Sequence, residues 1–210
     1  MRFKNRESAA YLLLEKLEKY RGLNPVVAGI PRGAMPMAKI IAEGLCAELS
    51  VVLVHKIPHP DNEEFAIGSV GISGKIFSSS LEEFGVSEPY IQSAAKKQLE
   101  VLKKRQKMYG LAEFNLKNRV VIIVDDGIAT GATTIGAIYE VRAQGASQII
   151  LATAVASPFA ATKIRPMVDE FIALDIPRDL HAVGQFFDDF PQVSDDTVVE
   201  LLHGESRVQL

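Results

Sequence analysis

The sequence predicts an α/β fold, a doubly wound and mainly parallel sheet flanked by helices, and three observations carry that expectation. Short apolar runs rich in β-branched residues recur at Val26–Ile30, Val120–Val124, Gln148–Val155 and Glu170–Leu174, and such runs read as strands buried on both faces. Segments with apolar residues three and four apart alternate with them, as crossover helices require. No repeat, low-complexity tract or linker breaks the order, and 210 residues with 48% hydrophobic content can bury a full core as one domain over residues 1–210.

In chain order, Ala9, Leu12, Leu13, Leu17 and Tyr20 recur at helical spacing between Glu and Lys residues, which predicts a helix over about 6–20 lying on the body. Val26–Ile30 is a short buried strand, and Pro31-Arg32-Gly33-Ala34 leads from it into a helix over about Met35–Leu45. Glu48–Ile57 is the next strand, ending in His55 and Lys56. From Pro58 to Ser80, turn formers stand at both ends and Gly68, Gly71 and Gly74 punctuate alternating residues, which predicts a loose hairpin. Ser87-Glu88-Pro89 opens a helix reaching about Tyr109, apolar at Ile91, Ala95, Leu99 and Leu102. Its far face carries Lys96, Lys97, Lys103, Lys104, Arg105 and Lys107; with no interleaved aromatic residues it reads as a solvated face rather than a base-stacking groove. After the strand Val120–Val124 a helix begins near Thr133 and runs to Gln144, where Gly145 stops it. The strand Gln148–Val155, a helix opened by Ser157-Pro158, and the strand Glu170–Leu174 follow.

The net charge of −3 provides no global basic field, so nucleic acid is not an expected partner and a polyanionic substrate must be met by local Arg, Lys and amide groups. A single cysteine, Cys46, excludes an intrachain disulfide and reads as a small core residue in an apolar helix. The first twenty residues alternate charge with apolar groups, unlike a signal peptide, and no apolar run approaches membrane-spanning length. The expected location is the cytoplasm.

The stretch Arg119–Thr134, RVVIIVDDGIATGATT, concentrates the chemistry. Two carboxylates, Asp125 and Asp126, stand where its strand ends, followed by Gly127-Ile128-Ala129-Thr130-Gly131-Ala132-Thr133 and a helix. Gly131 permits a tight turn, small neighbours leave amide groups bare, Thr130 and Thr133 add hydroxyl donors, and the helix directs its positive end at the loop, which suits a phosphate. Like charges repel, so the two acids should face a neighbouring group that donates hydrogen bonds, such as sugar hydroxyls or the waters of a metal. The stretch has neither G-x-G-x-x-G nor Gly-Lys-Ser/Thr, so it is not a dinucleotide fingerprint or a P-loop. No Ser-His-Asp order or metal-ligand cluster stands out to support a hydrolase.

An apolar strand, paired acids and then Ala129-Thr130-Gly131-Ala132-Thr133 resembles the phosphoribosyl pyrophosphate (PRPP) binding motif of type I phosphoribosyltransferases. The whole chain is similar, nearly end to end, to a bacterial group of predicted phosphoribosyltransferases. The resemblance implies Mg2+-dependent transfer of the 5-phosphoribosyl group from PRPP to a nitrogenous base, with release of pyrophosphate, by a homodimer. By the same match, Asp125 and Asp126 hold the ribose hydroxyls directly or through Mg2+, and residues 129–133 hold the 5-phosphate. Arg32, which follows a cis peptide in many members, would receive pyrophosphate with Gly33 and Lys56; Lys56 reads equally as a solvated strand end, and His55 is a weaker candidate.

The family also implies a flexible lid at about 58–80, whose His59, Glu63 and Glu64 individually read as solvated, and a small C-terminal hood at about 176–195. Val183-Gly184 followed by Asp188 resembles the hood of 6-oxopurine enzymes. That match places His181 on the base, with Phe186 or Phe187 closing the pocket and Asp188 toward Mg2+; plain packing is the alternative for the aromatic residues. Oxopurine enzymes carry an acid where this chain has Ala129, whereas adenine and uracil enzymes carry Ala, so the acceptor base stays open. A regulator that binds PRPP or a nucleotide without turnover is the alternative function.

Overall fold

The structure, a computed structural model, describes residues 1–77, 85–111 and 116–204, and the backbone alone at 63–65. Residues 78–80 of the expected lid and the side chains of Glu63 and Glu64 thus lie outside the described residues. The strands β1 (Val26–Gly29), β2 (Glu48–Val51), β6 (Val120–Ile128), β7 (Gln148–Ala156) and β8 (Glu170–Asp175) form one parallel sheet in the order β2-β1-β6-β7-β8. The doubly wound α/β fold expected from the apolar runs is the fold observed.

The wholly apolar run Val120–Val124 of β6 has a direct cause: helices cover both faces of the sheet. Ile122 and Val124 pack with Leu13 and Leu17 of α1 (Arg6–Leu17) and Met37 and Ile41 of α2 (Met35–Leu45). Val121 and Ile123 point the other way, into Ala137, Ile138 and Val141 of α4 (Ala132–Ala143) and Ala160 and Ile164 of α5 (Pro158–Ile164). Each fully buried Val or Ile favours the fold by roughly 1.5–3 kcal/mol, so a polar residue in this run would break the sheet at its centre. Among the described residues no helix is long and apolar enough to cross a membrane.

Several local expectations are corrected. The single strand expected over 48–57 divides: Val52 N–H donates to Gly29 O (3.0 Å), whereas Leu53 O accepts from Ile72 (3.1 Å), so the chain changes sheets between them. β3 (Val54–His59), β4 (Asn62–Gly71) and β5 (Ile76–Phe77) then form a separate antiparallel sheet, so the loose hairpin is a three-stranded unit. It packs on α3 (Glu88–Met108) through Ile57, Ile67 and Val70 against Ile91, Ala95 and Leu102. Leu12, expected on the inner face of α1, is exposed, while Arg6 is buried there. Cys46 is not a core residue: it caps α2 in a left-handed conformation and is exposed.

Candidate active site

The crossover after β1 runs through α2 toward one edge of the sheet, and the crossover after β6 runs through α4 toward the other. The carboxyl ends of β1 and β6 therefore flank a topological switch point, where open parallel sheets leave a crevice. An open pocket of about 250 Å³ occupies it, lined by Pro31 and Gly33 from the first loop, Asp125 and Asp126 from β6, and the 129–133 loop. Gly131 adopts φ +82°, a left-handed turn that suits glycine, and begins α4 with no side chain capping the helix. First-turn amides are left for a ligand in this arrangement. From behind, the Ser157 hydroxyl donates to Ala129 O (2.6 Å) and fixes the loop to the end of β7.

Strand alternation separates the two acids. Asp125 continues the Val121–Ile123 face toward α4 and accepts from the Thr134 hydroxyl at 2.8 Å; Asp126 continues the Ile122–Val124 face toward α1. There Arg6 meets it, with Nη2 at 2.8 Å and Nε at 2.9 Å from Oδ2. Burial, and then the charge of Asp126, push the Asp125 carboxyl up to about 7. Burial raises Asp126 too, against the pull of Arg6. A Cβ at position 33 would collide with Asp126 Oδ2, so glycine there is what admits the acid to the pocket wall.

The peptide between Pro31 and Arg32 is cis, as the resemblance implies. The Arg32 side chain, however, leaves the pocket wall for Asp195 at the start of α6 (Asp195–His203), with Nη1 3.5 Å from Oδ2. Arg105 also approaches Asp195 at 3.5 Å and the Tyr109 hydroxyl donates to it, so the solvated-face reading fails for Arg105. Lys56 does not sit at a carboxyl end of the parallel sheet. It belongs to β3 and lines a different cavity, with His55, His59, Tyr90 and Lys97.

Val183, in the segment expected to form a hood, packs so closely on Gly127 of the pocket wall that a Cβ there would strike it. The ligands expected of that segment are placed otherwise. Phe186 and Phe187 are buried in the core, with Phe187 tilted on Phe3 (5.3 Å between centroids) and stacked on Phe190 (4.7 Å). They anchor the hood rather than face a base. His181 is exposed and is not among the pocket's walls, and Asp188 lies at the surface, accepting from Arg2 Nε at 2.5 Å. Among the described residues no three His, Cys, Asp or Glu side chains converge as a metal site. The donor set fits Mg2+ only as that ion often binds, through one or two carboxylates together with substrate phosphates, and leaves Asp188 out of it.

Sequence reasoning missed Arg6, Thr134 and Asp195. Arg6 did leave a signal: it stands three and four residues before Ala9 and Ala10, in phase with the buried stripe of α1, where a charge requires a partner.

The chain matches the family described as "Phosphoribosyl transferase domain" over residues 4–178. It belongs to the phosphoribosyl transferase family. Two Mycobacterium tuberculosis proteins, from different strains, each named "Putative phosphoribosyl transferase", are 35% identical over 212 residues, covering 98% of this chain and 47% of theirs. The chain thus spans about half the length of these curated relatives. The crystal structure of TT1426 from Thermus thermophilus superposes with a TM-score of 0.86 at 38% identity, over 96% of this chain and 98% of that one. A purine phosphoribosyltransferase from Pyrococcus horikoshii shares the fold at TM-score 0.51 and 20% identity, over 90% of this chain and 92% of its own.

Proposed function

We propose that this phosphoribosyl transferase domain moves the 5-phosphoribosyl group of PRPP to a nitrogenous base and releases pyrophosphate. The observation that carries the reading is one pocket in which the bare amides of the 129–133 loop stand beside Asp125 and Asp126. An anion receptor next to an acid pair suits a molecule with a phosphate on one carbon and hydroxyls a few bonds away. A nitrogen lone pair of the acceptor forms the new bond to C1 with inversion, as the C1–O bond breaks and its electron pair leaves on pyrophosphate. Ala129–Thr133 grip the 5-phosphate, and Asp125 and Asp126 accept from the ribose hydroxyls.

Arg32, once released from Asp195, would receive the leaving pyrophosphate from the loop that follows β1, with Gly33 allowing its close approach. Mg2+, held by Asp125 and Asp126 together with substrate oxygens, would supply positive charge to the departing pyrophosphate. Catalysis then comes from positioning and electrostatic stabilisation, without a covalent nucleophile.

Pyrophosphate release from Mg-PRPP, measured across a panel of purine, pyrimidine and other nitrogen heterocycles, tests the proposal. Release that depends on one class of base is the expected result, and no detectable PRPP binding overturns the reading. Tight PRPP binding without turnover on any base would favour the regulator instead.

A further inference from the structure

We propose that Arg6 is a positioning residue of the phosphoribosyl site, fixing the Asp126 carboxylate and making its placement depend on the seating of the hood. The inference rests on the function proposed above. Arg6 is only 8% exposed, and its guanidinium is committed on three sides. Two of its nitrogens contact Asp126, both at Oδ2 (2.8 and 2.9 Å), so the guanidinium does not occupy the other oxygen. Its Nη1 donates to Pro191 O of the hood at 2.7 Å, and its carbon lies 3.6 Å from the Phe190 ring centroid. One planar cation thus joins the first turn of α1, an acid on the pocket wall and the chain just before α6.

A clamp between α1 and the hood does not require a charge. Phe3, Phe187 and Phe190 already pack these parts together, and a well-packed apolar contact generally equals or exceeds a buried ion pair in stability. What the apolar contact cannot do is donate two hydrogen bonds to one carboxylate oxygen and hold that acid in one rotamer at the pocket. The planar fork of arginine does so while its face remains stacked on an aromatic ring.

Calorimetric titration with Mg-PRPP tests the role, because affinity and stoichiometry separate positioning from structure. Arg6→Gln should raise Kd by about tenfold or more at unchanged stoichiometry, with Arg6→Lys recovering only part of the loss. In an Asp126→Asn background the Arg6→Gln substitution should change Kd by less than about twofold, since the two groups act as one unit. Should Arg6→Gln fail to fold, Arg6→Lys and Phe190→Leu carry the test, each with a Kd raised by about threefold or more. A wild-type Kd in the folded variants with reduced stoichiometry or Tm alone would make Arg6 purely structural and overturn the inference, as would additive losses in the double variant. If the wild type itself binds no Mg-PRPP, the phosphoribosyl reading fails, which is a different outcome from wild-type binding with an indifferent Arg6.

Discussion

Burial and a second carboxylate beside it raise the Asp125 carboxyl from the usual 3.8 to about 7, although it lines the open pocket. Because the folded value is raised, the fold gains from protonation in full below about pH 4 and loses that gain as pH rises through about 7. From this group the ligand-free protein should lose stability between acid and pH 8. Asp125→Asn has no charge to desolvate, so thermal scans should find a flatter pH dependence and a Tm at pH 8 higher by roughly 5 °C or more. An identical pH slope in wild type and variant would refute the buried titration. The same substitution should weaken Mg-PRPP binding by about 1.5–3 kcal/mol in calorimetry. Its neighbour behaves oppositely in the scan: Asp126→Asn strands the buried Arg6 and should destabilise by roughly 3 kcal/mol. Adjacent acids that look equivalent as letters are split by strand alternation, which sends one to a hydroxyl and the other to a guanidinium.

The element that reaches furthest is α4. Its first turn borders the 129–133 loop, while two turns on the fully buried Glu140 accepts from Ser73 N–H (3.2 Å) and from the Ser73 hydroxyl (2.6 Å) in the β4–β5 turn. Gly136 and Gly71 let helix and sheet approach, since a Cβ at either would strike Ser69 or Glu140. Glu140→Ala orphans the Ser73 groups and leaves a void, so it should cost roughly 2–4 kcal/mol and speed hydrogen exchange at the Ser73 amide. An unchanged Ser73 exchange rate would show that the turn holds without the helix. At the opposite side of the site, Asp195 occupies Arg32 and Arg105 together. If Arg32 receives pyrophosphate, Asp195→Asn removes a competing anion and should tighten pyrophosphate binding by about threefold or more, measured by competition against PRPP. Weaker binding would make Asp195 an organiser of those arginines instead. The parallel strands were legible because each announces itself within a few residues. The break at 52–53 was not, since Val52 and Leu53 are as apolar as their neighbours and only their hydrogen-bond partners differ.

At the scale of the molecule, legibility follows distance along the chain. The loop 129–133 and Asp125 lie in one contiguous run, and their pocket could be anticipated from local chemistry. Nothing local relates Arg6 to Asp126, 120 positions away, or to Pro191, 185 positions away. The hood match puts His181 on a base with Phe186 or Phe187 closing the pocket, and plain packing is the alternative; the partner found for this stretch is Phe3, whose N–H donates to Phe186 O (2.8 Å) while its carbonyl accepts from Asp188 (2.9 Å). Phe3→Ala should therefore destabilise by roughly 3–5 kcal/mol and disturb the hood before the sheet, which exchange measured at Phe187 and at Ile122 can separate. Equal protection loss at both positions would mean that hood and sheet open as one. The long reach of the Arg6 clamp also orders events on the ribosome. The 129–133 loop and its helix leave the exit tunnel seconds before Phe190 and Pro191, at synthesis rates of about 5–20 residues per second. A nascent chain can thus hold a finished 129–133 loop while Asp126 still lacks a settled place. The last part of the site to be completed is the part most remote from its signature motif.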